Sequence, residues 1–73
     1  MIFEGAVTTE KILNNFQAGT EFQFHTDADV TLAFWFPAKN GWGAEIPITA
    51  PGDFVGAGGN KGRITGTANV RIF

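Results

Sequence analysis

From Val30 to Phe36 the chain reads Val-Thr-Leu-Ala-Phe-Trp-Phe, the longest nearly unbroken apolar run in its 73 residues. Aliphatic, β-branched and aromatic residues suit the pleated, half-buried surface of a sheet. Successive strand side chains alternate faces. Val30, Leu32, Phe34 and Phe36 therefore share a core face, and Thr31, Ala33 and Trp35 share the other. The second face begins polar and ends in a large indole. It needs a cover, from this chain or from another copy.

The same reading extends in both directions. Residues 2–7 predict a short first strand that Gly5 weakens, as an edge or an extended arm. Residues 8–18 admit two readings. Thr8 or Thr9 is a helix cap, Ile12, Leu13 and Phe16 have helical spacing, and Gly19 is a stop. Asn14-Asn15 is poor helix material, and the balance favours a short strand around Lys11–Asn14. Residues 20–26 alternate clearly, with Phe22 and Phe24 on one face and Glu21, Gln23 and His25 on the other. Asp27-Ala28-Asp29 predicts a turn, so 20–26 and 30–36 are expected to pair as a hairpin.

Pro37 lacks the N–H that a ladder needs, and residues 37–44 read as a loop with an Asn40-Gly41 turn. Trp42 lies there between two glycines, on a mobile tip or over a neighbouring surface. Residues 45–50 resume alternation, with Ile46, Ile48 and Ala50 inward. Pro47 inside that run marks an edge strand or a bulge. Pro51-Gly52-Asp53 turns the chain into a very short strand at Phe54-Val55. Six of the ten glycines lie between 52 and 66, a loop-rich quarter. Residues 63–65 and 68–73 close the pattern, with Phe73 tied into the sheet. No repeat and no boundary appears. One domain over 1–73 is expected, with 1–18 an arm or edge segment. The fold class is all-β, an antiparallel sandwich or barrel of about six or seven short strands.

Composition narrows the function. A chain this short buries only about 60% of its unfolded surface, so small domains often carry a staple. There is no Cys for a disulfide, and one His leaves little for a structural metal. Association between subunits remains. Five basic and seven acidic residues give a net charge of −2, which does not favour holding a nucleic-acid backbone. The N-terminus lacks the pattern of a secretory signal, and no stretch approaches the ~20 apolar residues of a membrane helix. Synthesis in a cytoplasm is expected, with no nucleic-acid or membrane partner.

No residue set announces a reaction. Gly56-Ala57-Gly58-Gly59-Asn60-Lys61-Gly62 fits neither the Walker loop nor the dinucleotide fingerprint, and reads as a flexible hairpin loop. Asp27 and Asp29 lack the further oxygens of a calcium loop. His25 lies on a polar face with no Ser, Cys or Tyr in the chain to act as nucleophile. Seven acids can form a carboxylate pair by chance, but a domain of this size offers little cleft. No catalytic residue, cofactor or metal ligand is assigned. Trp35 and Trp42 suit either sugar stacking or a protein interface, where Trp is a favoured anchor. With Lys39 and Asn40 they form the expected partner-contact set.

Residues 20–73 resemble small all-β accessory proteins of tailed-phage virions, the head-decoration and tail-associated subunits. The likeness lies in the order of features. An aspartate turn enters an apolar strand (27–36), a Trp-bearing turn follows (40–43), and then a strand ending Ile48-Thr49-Ala50-Pro51-Gly52. The Gly-rich loop and the closing Asn69-Val70-Arg71-Ile72 strand complete it. The resemblance implies a structural subunit in a virion, held by copies of itself and by a capsid or tail protein. A carbohydrate-binding module and a small inhibitor of a host protein are the alternatives.

Overall fold

A computed structural model describes all 73 residues. It is an all-β sandwich, not a closed barrel, of nine short strands: β1 Phe3–Val7, β2 Glu10–Leu13, β3 Glu21–Thr26, β4 Val30–Phe36, β5 Gly41–Trp42, β6 Ile46–Ile48, β7 Gly52–Gly56, β8 Gly62–Thr65 and β9 Ala68–Ile72. One sheet has the order β1-β9-β3-β7. The other runs β2-β8-β4, with both β5 and β6 paired to β4. Every pairing is antiparallel.

β5 and β6 are two parts of one interrupted strand. Trp35 faces Trp42, whereas Leu32 faces Ile46. The interval therefore contains one more residue on the β5–β6 side than on β4, the signature of a bulge. Counted so, consecutive strands alternate between the sheets except where β4 turns back into β5. Two interlocked four-strand sheets of this kind form a jelly roll.

The predicted hairpin of 20–26 with 30–36 is not formed. β3 pairs with β7 and β9, and β4 pairs with β5, β6 and β8. The reason lies in the Asp27–Asp29 link. Asp27 Oδ1 accepts the Asn69 N–H at 2.8 Å, next to β3 in its own sheet. Asp29 Oδ1 accepts the Ala50 N–H at 2.8 Å, beyond the end of β6 in the other sheet. The two carboxylates thus anchor one turn to opposite layers. The apolar faces of β3 and β4 meet across the core instead of side by side. The hairpin of the structure is β4 with β5–β6, turned by a 3-10 segment Pro37–Lys39 and a left-handed Asn40 (φ 48°). The Gly-rich loop after β7 is likewise a crossover between sheets, not a hairpin.

The expected core residues Phe22, Phe24, Val30, Leu32 and Phe34 are all buried, while Phe36 is half-buried. Ile48, Ile64, Val70 and Ile72 complete the facing layers. Phe16, outside any strand, fills one end of the core edge-on to Phe22 and Phe34, at 5.0 and 5.5 Å between centroids. Residues 8–18 contain β2 and no helix. Pro47 stands on an edge, as its missing N–H requires. Phe73 exchanges backbone hydrogen bonds with Gln23, so the terminal residue is held in the sheet.

Candidate functional site

The outward face of β4 ends in Trp35, and β5 sets Trp42 directly opposite. The indoles meet edge to face, with centroids 5.3 Å apart and planes at 80°. The Trp35 backbone N–H donates to the Lys61 carbonyl at 3.0 Å, which fastens the end of the Gly-rich loop beside β4. Lys61 Nζ then lies 5.0 Å from the Trp35 ring centroid and 5.6 Å from that of Trp42. Arg63, on the outward face of β8, brings Cζ to 4.8 Å from the Trp42 ring. Its nearest carboxylate is Glu45, at 3.9 Å from Nη2. Ala33 lies between Thr31 and Trp35 on this face, opposite Arg63, and is 1% exposed. At Ala33 the cover that this face requires comes from the chain itself.

The structure therefore brings Trp35 and Trp42 together and separates the other two members of the expected set. Lys39 lies over the Phe36 ring, at 5.7 Å. Asn40 is a turn residue whose N–H donates to the Pro37 carbonyl. Trp42 is not on a mobile tip; it is half-buried in a strand. Gly43 does not serve to free the indole. A Cβ there would overlap the Phe36 ring. Lys61 and Arg63 were missed because one falls in a glycine-rich loop and the other needs the β4–β8 register to be placed.

Chemically this is an aromatic corner capped by two cations. Cations over indole faces are attracted by the ring quadrupole, by about 0.5–1 kcal/mol at exposed sites. The loosely paired guanidinium retains donors suited to a carboxylate.

The four-stranded sheet presents a different outer surface. Phe54 on β7 and Phe73 beyond β9 flank Gln23 of β3, and are 59% and 46% exposed. His25 meets Phe73 edge-on at 5.3 Å, and Arg71 Cζ lies 5.9 Å from the same ring. His25 is exposed. Beside it, Glu4, His25, Asp27, Asn69 and Arg71 line an open depression of about 530 Å³. Asp27 is held below the usual carboxylate range by the Asn69 backbone N–H first and the Asn69 side-chain amide second. Its oxygens are occupied by those bonds, at 2.8 Å each. No three of the His and acidic residues gather as metal ligands.

Compared with known proteins, the chain matches no family model, no curated protein and no solved structure.

Proposed function

We propose that the protein is a structural subunit that assembles with further copies of itself, in the manner of the decoration or tail-associated proteins of a phage virion. The observation that carries this reading is the pair Phe54 and Phe73. Two large phenyl groups stand exposed on the outer face of one sheet, bracketing a single Gln. Large apolar groups left exposed on one sheet face suit a contact surface. The sandwich has no disulfide to supplement its small core. Jelly rolls recur in viral capsid domains, which is support by analogy of fold alone. The test is sedimentation of wild type and of Phe54→Ser/Phe73→Ser across micromolar concentrations. A concentration-dependent mass that falls in the variant, with the circular dichroism unchanged, is expected. A wild-type monomer throughout would sink the reading.

Carbohydrate binding is the second reading, favoured by the Trp35–Trp42 corner. Lys61 and Arg63 lie over these rings, so an acidic sugar fits better than a neutral one. Indole fluorescence titrated with uronate and neutral oligosaccharides tests it. Quenching by the acidic series, lost in Arg63→Ala, supports the site. No response to either series removes it.

A further inference from the structure

The sandwich has four edge strands, and three of them carry devices against further pairing. Exposed edges otherwise invite another strand. In an antiparallel ladder, alternate residues direct both backbone groups to the same neighbour. Gln23 and Phe73 exchange both bonds, so on β3 the residues Phe22, Phe24 and Thr26 turn their backbone groups to β7. Asp53 and Val55 answer them, and Gly52, Phe54 and Gly56 face outward. Two of those outward donors are occupied: Gly52 N–H by the Thr49 carbonyl at 2.9 Å, and Phe54 N–H by Asp53 Oδ1 at 2.8 Å. On β6 the Ile46 and Ile48 backbones turn to β4, so the outward position is Pro47, which has no N–H. On β2, Lys11 stands on the side facing the other sheet, with Nζ 5.7 Å from the Phe3 ring. An inward charge at an edge is a recognised guard.

β1 has no such guard. By the same alternation Asn69, Arg71 and Phe73 turn to β3, while Ala68, Val70 and Ile72 turn to β1. Phe3, Gly5 and Val7 are their partners. The N–H and C=O groups of Glu4 and Ala6 therefore point out of the sheet. No turn, loop or side-chain bond occupies them.

We infer that β1 is the seam of a two-fold dimer, pairing antiparallel with β1 of a second copy so that the two four-stranded sheets become one. This rests on the self-associating reading above and adds a strand-edge contact to the outer face that Phe54 and Phe73 mark, with Phe54 on the opposite edge of the same sheet. Register follows from charge. Opposing Glu4 to Glu4 sets like charges face to face, which destabilises a strand pair. Opposing Glu4 to Ala6 of the second copy uses every free group and puts Gly5 on the two-fold axis. The contact is isologous and closed, and its affinity comes from main-chain bonds, as in other strand additions.

The experiment combines amide exchange with two variants at the exposed Ala6. In wild type the Glu4 and Ala6 amides should be protected at high concentration and lose protection on dilution. Ala6→Glu faces Glu4 of the second copy and should weaken association; Ala6→Lys should strengthen it. Two opposed pairs imply a change of about twofold to thirtyfold in each direction. Association that persists equally in both variants, with Glu4 and Ala6 amides fast throughout, overturns the β1 seam and leaves self-association standing. A trimeric mass, which a two-fold seam cannot close, also overturns it. A monomer at every concentration overturns both.

Discussion

The ring of Phe16 lies against the bare Cα of Gly62. A Cβ on that glycine would stand 2.6 Å from Phe16 Cε2 and 3.1 Å from Cδ2, with Leu32 Cδ1 at 3.4 Å. Phe16 has no room to retreat, since Phe22 and Phe34 hold its other sides. Gly62→Ala is expected to cost about 1–3 kcal/mol as an overpacked core. Phe16→Ala should cost about 3–5 kcal/mol through the cavity it leaves. Phe16→Leu combined with Gly62→Ala should lose less than the sum of Phe16→Leu alone and Gly62→Ala alone, because contacting residues couple. Urea denaturation of the four chains measures this, and strict additivity would show that the contact is absent.

Gly52 presents a harder case. Its φ is +141°, and a Cβ would overlap the Phe24 carbonyl, which is backbone and cannot rotate away. Gly52→Ala should destabilise by more than about 1 kcal/mol. Gly56, four residues on, has nothing within 4 Å of the same position. Gly56→Ala should be neutral or stabilising by about 0.4–1 kcal/mol, by restricting the unfolded chain. Equal melting temperatures for the two variants would contradict the assignment.

Asp27 predicts an acid-side loss of stability. Its folded pKa lies below its unfolded value because Asn69 donates to the ionised form. The unfolded chain then binds more protons in that interval, and stability rises with pH there. The contribution is complete above the unfolded carboxylate value of about 3.9 and is lost as pH falls through the folded one. Denaturation midpoints between pH 5 and pH 2, about the span in which carboxylates titrate, should decline less steeply in Asp27→Asn than in wild type. Parallel slopes would remove the effect.

Trp42→Ala should now lower stability itself. The indole is half-buried against Trp35, under Lys61 and Arg63. Lost burial and the aromatic pair together amount to about 1–3 kcal/mol. Thermal melting checks this, and an unchanged midpoint would return Trp42 to the role of a free contact residue. Arg63→Ala, which spares the pair, is the cleaner probe of binding at that corner.

Much of this was legible from alternation alone. The faces of β3, β4 and β9, the edge position of Pro47 and the all-β class follow from which residues are apolar at period two. Partnership between strands was not. Asp27-Ala28-Asp29 signals a turn, but a turn within a sheet and a turn between sheets use the same residues. What separates them here is the reach of each carboxylate to Asn69 and to Ala50, 42 and 21 residues away. The site followed the same division. Trp35 and Trp42 were visible as large aromatics. Lys61 and Arg63 became neighbours only through the β8–β4 register, and Phe54 appeared as part of a strand too short to assign a face.

The placing of β9 governs how the molecule can be made. Phe3 is in register with Ile72, and β9 lies between β1 and β3, inside its sheet. During translation, which adds about 5–20 residues per second, β1 and β3 exist for seconds with the strand that joins them still unsynthesised. The first sheet cannot close until residues 68–72 have left the ribosome. A nascent chain stalled before them should be protease-sensitive from Phe3 to Thr26, and one in which residues 68–72 have emerged should be protected there.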